Sequence, residues 1–205
     1  VCSWFDLAVS DVTWVDGRKV QMYAVYDVTD RKVYQKKVEQ QIYTDFLTGL
    51  YNRICCERDL AVYVDNAGEK QKKGALLYLD LDDFKHINDG LGHQYGDVLL
   101  QAISHAFQRV EGISESCYRM GGDEFAAVIF FEKDQPDSDI YSVVKDVFEK
   151  VNMTVTSSEG GTSLSMGMAV SDEKHNSFNH LYEAADQALY KSKESGRSKL
   201  SFYEQ

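Results

Sequence analysis

Proline is almost missing from this chain of 205 residues; the only one, Pro136, marks a loop between Asp134 and Asp139. Cysteine is scarce and unpatterned. Cys2, Cys55, Cys56 and Cys117 show neither the spacing of a disulfide framework nor that of a zinc site, and the adjacent pair reads as helix. This excludes a disulfide-stapled secreted scaffold and fits a reducing cytoplasm. No apolar run approaches the roughly 18 residues of a membrane span, and no signal peptide is visible. Basic residues are short, 22 against 33 acidic ones, for a net charge of −11. That balance argues against broad contact with nucleic acid or an anionic membrane surface. It leaves open one nucleotide held by a metal and a few local cations. There is no internal repeat and no low-complexity tract. The chain starts at Val1 rather than at a methionine and is read as a piece of a longer protein, whose own membrane attachment stays open.

What is present is enough apolar sequence, 43%, to bury a core. The pattern centres on Tyr118-Arg119-Met120-Gly121-Gly122-Asp123-Glu124-Phe125, followed by the apolar run Ala126 to Phe131. Two adjacent glycines between β-type segments read as a hairpin turn. On a regular strand Asp123 and Glu124 would point to opposite faces and so do different jobs. Upstream, the strand Ala75 to Leu81 also ends in acids, Asp80, Asp82 and Asp83. Acids at neighbouring strand ends can hold a divalent metal over a phosphate.

In chain order, Trp4 to Trp14 and Val20 to Val28 read as a hairpin turning at Asp16-Gly17. Two strands do not make a stable domain alone. A polar helix from Arg31, capped by Asp30, carries the narrow stripe Tyr34, Val38 and Ile42. It is either a signalling connector or short coiled coil, or a solvated linker. Asp45 to Arg53 reads as a turn between helices. A helix follows to Asp65, with Cys56, Leu60, Tyr63 and Val64 on one face, then a polar loop from Asn66 to Gly74. After the Ala75 strand come a short helix, Phe84 to Asp89, broken at Gly90 and Gly92, and a longer one from Gly96 to Val110. The hairpin, an amphipathic helix spanning Ile140 to Val151, a strand from Ser163 to Val170, a helix through Leu181 and Leu189, and a strand from Lys199 to Tyr203 complete the chain. This alternation predicts the α/β (α+β) class, with a mixed central sheet wrapped by helices.

Asp80 and Asp123 are the first candidates for metal, although an acid at a strand end can equally be a solvated loop residue. The carbonyl of Leu81 can serve the same ion, and Glu124 is a candidate for a second metal or the outer shell. Asp83-Phe84-Lys85 lies at a strand-to-helix turn, whose free N–H groups suit phosphate oxygens; Lys85 adds a charge there or is simply solvated. Lys193 and Arg197 flank the helix stop Gly196 and form either a solvated face or a clamp over a polyphosphate. Asn88 and Asp97 flank the turn from Gly90 to Gly96. They are either helix caps, Asp97 above all, or a pair that reads guanine, the carboxylate taking N1–H and N2–H and the amide the remaining edge. His93 is assigned no chemistry.

These residues fall into ordered motifs: Asp45-x-Leu47-Thr48-Gly49-Leu50-x-Asn52-Arg53; Asp80-x-Asp82-x-Phe84-Lys85-x-x-Asn88-Asp89; Gly92-His93-x-x-Gly96-Asp97; Arg119-x-Gly121-Gly122-Asp123-Glu124-Phe125; Ser165-x-Gly167-x-Ala169; and Ala188-Leu189-Tyr190-x-x-Lys193-x-x-Gly196-Arg197. From about Asp45 to Phe202 the chain resembles the GGDEF family of diguanylate cyclases. The resemblance implies a fold similar to polymerase palms and nucleotidyl cyclases. It implies a nucleotidyltransferase reaction: two GTP condense into cyclic di-GMP with release of two pyrophosphates, in a head-to-tail dimer with Mg2+ (or Mn2+). Carried over, Asp80, the carbonyl of Leu81, Asp123 and Glu124 would hold metal, and Asp123 and Glu124 would be catalytic, Asp123 helping to deprotonate the 3′-hydroxyl. Asn88 and Asp97 would bind guanine, the carboxylate favouring GTP over ATP. The backbone at Asp83-Phe84, with Lys85, Lys193 and Arg197, would hold phosphates.

One position departs from the family. Many members carry an inhibitory product site, Arg-x-x-Asp, where this chain has Gly112-Ile113-Ser114-Glu115. Loss of the arginine and replacement of the acid imply no, or weak, product inhibition. Asp27-Val28-Thr29-Asp30-Arg31-Lys32 resembles the exit signature of PAS sensor domains. The implied organisation is the end of a PAS domain at 1–30, a signalling helix at 31–44 that brings two copies together, and the cyclase domain at 45–205. The second reading is a catalytically silent GTP- or cyclic di-GMP-binding regulatory module. Such modules usually lose a motif acid, and all three acids are present here.

Overall fold

The apolar run before Asp80 becomes the middle of a sheet. The computed structural model describes residues 2–70, 72–132, 134–157, 162–171 and 177–203, and for 63–70 and 72 the backbone alone. The chain divides into two compact units, Val1–Ile42 and Tyr43–Gln205.

In the first unit, β1 (Phe5–Thr13) and β2 (Lys19–Asp27) form an antiparallel hairpin, and α1 (Thr29–Tyr43) follows. Three contacts tie the start of the helix to the hairpin. Trp4 N donates to Thr29 Oγ1 at 2.9 Å, Val28 N donates to the Trp4 carbonyl at 2.9 Å, and Arg31 pairs with Asp6 at 2.7 Å. The capping expectation shifts here: Asp30 sits inside the first turn, and Asp27 accepts the Thr29 N–H.

The second unit is a six-stranded mixed sheet, in order β3-β5-β6-β4-β7-β8. Its strands are β3 (Tyr51–Asn52), β4 (Lys72–Leu81), β5 (Cys117–Gly121), β6 (Glu124–Glu132), β7 (Leu164–Val170) and β8 (Leu200–Phe202). Central β4 pairs antiparallel with both β6 and β7. Because side chains alternate along a strand, β4 feeds two cores. Leu77, Leu79 and Leu81 pack with α4 (His93–Arg109) and α5 (Asp137–Thr156), beside which lies α3 (Phe84–Leu91). Leu76 and Tyr78 pack on the other face with α2 (Arg53–Lys70) and α6 (Phe178–Glu194). Gly167 lets α6 lie directly on β7, since a Cβ there would fall 2.2 Å from the Ala185 carbonyl oxygen and 2.2 Å from Leu189 N.

Four elements differ from the sequence expectation. The supposed loop from Asn66 is helix through Lys70, and strand resumes at Lys72. Of the expected apolar face of α2, Cys56 and Leu60 are buried, whereas the side chains of Tyr63 and Val64 lie outside the described residues. Gly90 does not break α3, which runs to Leu91. Helix α4 begins at His93, three residues early, so Asp97 stands in its second turn rather than at its cap. The turn at Asp45 to Arg53 contains β3, a two-residue strand parallel to β5. Among the described residues no helix is long and apolar enough to cross a membrane.

Candidate active site

The hairpin turn sets the site. Gly121 and Gly122 take φ of 153° and 51°, values that side chains resist, and the register slips between Arg119 and Gly121. The slip leaves Asp123 in the turn and starts β6 at Glu124. Glu124 lies opposite Asp80 of β4, so these two side chains leave the same sheet face. The Asp123 carbonyl accepts the Leu81 N–H at 3.3 Å, drawing the turn against the end of β4.

Asp80 is mostly buried and lies 2.8 Å from the Lys193 ammonium of α6. Burial pushes its carboxyl up to about 6; Lys193 opposes this, and the charges of Asp123 and Glu124 add to it. The charges of Asp123 and Glu124 thus reach Asp80, which has one cation, Lys193, against it. Among the described residues no group of three His, Cys, Asp or Glu side chains is already drawn together as an ion cage. The donor chemistry nevertheless fits a hard divalent ion: carboxylate oxygens, with a cation already against one of them. Behind Glu124, the Tyr78 and Tyr182 hydroxyls are 3.0 Å apart, and Arg53 lies over the Tyr182 ring. Tyr78 also reaches the Glu124 carboxylate, and burial pushes its hydroxyl well above the ordinary tyrosine value.

Asn88 and Asp97 come from packed neighbours, α3 and α4. Asn88 Oδ1 is buried without a hydrogen-bond partner. It fits against Gly96, where a Cβ would fall 2.0 Å from it. A buried amide oxygen with no donor is costly and calls for one from outside the chain. Asp97 is exposed and lines a cleft of about 520 Å³ with Asp45, Phe46, Leu47 and the Arg119–Gly122 segment. The Arg119 guanidinium bonds Asp45 at 2.9 Å and the Gly122 carbonyl at 2.7 Å, pinning the turn to the loop before β3.

The phosphate candidates follow directly on the same end of β4 that carries Asp80. Asp83 precedes α3 at φ 56° with no side-chain cap bond, Phe84 is half-buried, and Lys85 is exposed on the first turn. Arg197 comes within 3.6 Å of Asp83 from the turn after α6. Lys193 and Arg197 thus point to neighbouring acids at the end of one strand. Gly112 and Glu115 are exposed in the turn between α4 and β5. The sequence reading missed Tyr78, Tyr182, Asp82 and the Asp45–Arg119 pair. Asp45, Asp82 and Arg119 carry a signal as motif positions, though none that assigns them a role; Tyr78 and Tyr182 carry none.

Residues 42–199 match the family described as diguanylate cyclase, GGDEF domain. The chain is 35% identical over 159 residues to the diguanylate cyclase DgcN of Escherichia coli, covering 76% of this chain and 38% of that protein. It is 31% identical to the cyclic di-GMP phosphodiesterase PdeR of the same organism, covering 86% of this chain and 26% of the relative. The chain therefore spans well under half the length of both. Its fold is similar to the coiled coil and GGDEF domain of DgcB from Caulobacter crescentus, crystallised with c-di-GMP. The TM-score is 0.73 at 26% identity, covering 85% of this chain and 93% of that one.

Proposed function

Since this chain belongs to the GGDEF domain family of diguanylate cyclases, we propose that it condenses two GTP into cyclic di-GMP and two pyrophosphates as a homodimer. The observation that carries the reading is the set of three acids at the ends of β4 and β6, with Lys193 2.8 Å from Asp80. Asp80, Asp123, Glu124 and the Leu81 carbonyl would hold Mg2+ or Mn2+, which supplies charge neutralisation at the reacting phosphate when bound. Asp123 accepts the proton of the 3′-hydroxyl. The O3′–Pα bond forms as the bond from Pα to the pyrophosphate oxygen breaks, and pyrophosphate leaves. Lys193 turns from Asp80 to the phosphates, where Lys85, Arg197 and the backbone at Asp83-Phe84 also act. Most of the rate then comes from position and charge.

Guanine selection follows from the Asn88 oxygen that lacks a donor, together with Asp97; guanine N–H groups supply what both acceptors need. One chain offers one such site for a reaction of two nucleotides, which supports the dimer, and α1 is the element that would form it. The ties from Thr29 and Arg31 to the hairpin support residues 1–30 as the output end of a PAS sensor, coupled mechanically to α1. A cytoplasmic location goes with this reading. With Gly112 and Glu115 in place of the usual Arg and Asp, product inhibition at that site is expected to be absent or weak. One matched relative, PdeR, is named a cyclic di-GMP phosphodiesterase rather than a cyclase, and the other reading is a catalytically silent GTP- or cyclic di-GMP-binding module.

The test is GTP with Mg2+ at high protein concentration, following pyrophosphate and cyclic di-GMP together, with Asp123→Ala as control. Product that vanishes in the variant supports the cyclase. GTP binding without product, even after fusion to a dimerising helix, moves the assignment to the silent module.

A further inference from the structure

Among the described residues, three non-glycine residues have positive φ: Asp83 at 56°, Arg197 at 59° and Ser198 at 51°. All three meet at one place, because Arg197 and Asp83 face each other at 3.6 Å. Two consecutive side-chain-bearing residues in the left-handed region do not stay there unless the surroundings hold them. The holder is Asp82. The residue is 4% exposed, and its carboxylate accepts from Ser163 Oγ at 2.5 Å, Ser165 Oγ at 2.7 Å and the Ser198 N–H at 3.0 Å. Its carbonyl accepts from Thr162 Oγ1, also at 2.5 Å. Secondary ties complete the turn: Asn152 Nδ2 donates to Ser198 Oγ at 3.3 Å, and Arg197 N donates to the Ser192 carbonyl at 3.1 Å.

The two acids of the Asp80-x-Asp82 motif therefore split. Asp80 stands by Lys193, whereas Asp82 spends its oxygens inside the protein on three neutral donors from two other segments. We propose that Asp82 is a positioning residue: its buried carboxylate holds the Arg197–Ser198 turn in its left-handed form, and so fixes the Arg197 guanidinium beside the β4–α3 junction to receive the terminal phosphates of a nucleoside triphosphate. This rests on the cyclase reading and adds to it the residue that aims its phosphate clamp. Asp82 touches no substrate; it acts through Ser198 and Arg197.

The test is calorimetric titration of the full chain with GTP and with GMP, with Ca2+ in place of Mg2+ to prevent turnover. Asp82→Asn keeps the volume but loses an acceptor, and is expected to weaken GTP about tenfold while leaving GMP unchanged, the size of one lost charge-assisted bond. Combined with Arg197→Ala it should cost no more than Arg197→Ala alone, because both remove the same contact. Equal losses for GTP and GMP, or losses that multiply in the double variant, overturn the proposal. A wild-type chain that binds neither nucleotide refutes the cyclase reading, and this inference with it. If Asp82→Asn does not fold, Ser198→Pro replaces it: it deletes the amide donor in an exposed turn and sets φ near −65°. It must show the same selective loss of GTP. In the wild type the Ser198 amide should exchange slowly with deuterium; exchange as fast as an open turn would sink the idea.

Discussion

At the scale of single residues, burial decides which acid does what. Asp80, Asp82, Asp123 and Glu124 have similar chemistry, but their surroundings separate them. Asp82 is satisfied by neutral donors, while Asp80 is held beside other acids with one ammonium for relief. Asp80 has an ordinary value of 3.8 and is pushed to about 6 in the fold. An acid whose folded pKa is the higher one binds protons more readily in the native state. Its charging therefore costs the fold nothing below 3.8, costs progressively more between 3.8 and 6, and costs the full amount above 6. Asp80→Asn should accordingly stabilise the metal-free protein at pH 7.5 by about 1–3 kcal/mol, a net gain because the raised value already includes the attraction of Lys193. Protons and a divalent ion compete for the same oxygens. Mn2+ titrations should show affinity holding at pH 7.5 and falling clearly at pH 5. Affinity that does not change between those values would mean that Asp80 is not a ligand.

At the scale of elements, the long periodic segments were legible and the short non-local ones were not. The stripe from Ile140 to Val151 defines α5, and the apolar run before Asp80 defines β4. Strand β3 was invisible because two residues carry no period, and its pairing partner Tyr118 is far along the chain. The sequence places the start of α4 three residues late because His93 to Tyr95 is largely polar and lies between Gly92 and Gly96, which reads as a loop. The candidate site was legible as motifs, whereas its supports were not. Arg119 and Asp45, or Asp82 and Ser198, are joined by hydrogen bonds across 74 and 116 positions. The packing of α3 on α4 makes the point testable. Gly96, expected to open α4, sits inside it, and a glycine is needed there because a Cβ would stand 2.0 Å from Asn88 Oδ1 and 3.1 Å from Phe84 Cζ. Gly96→Ala should keep the circular dichroism spectrum, lower stability by about 1–3 kcal/mol through overpacking, and weaken GTP about tenfold by displacing Asn88. Unchanged GTP affinity would remove Asn88 from the base pocket.

For the molecule as a whole, the constraint is stoichiometry against charge. The proposed reaction joins two nucleotides, and each chain would supply one set of acids and one proposed base-reading pair among its described residues. Two copies must therefore meet, although each carries a net charge of −11 and repels the other. Divalent ions and salt weaken that repulsion, since the screening length falls from about 30 Å at 0.01 M to about 10 Å at 0.1 M. Two consequences follow for the wild-type chain. Product formed per mole of enzyme should rise with enzyme concentration while sedimentation shows mostly monomer, and level off as dimer accumulates. At fixed low concentration, raising salt from 0.01 to 0.1 M should raise it further, whereas a site working alone would lose affinity for a polyanionic substrate under the same change. A chain fused to a stable parallel dimer should lose the concentration dependence, because association is then prepaid within one molecule. Constant activity per mole across a range where only monomer is present would place both nucleotides on a single chain, and the homodimer would have to be abandoned.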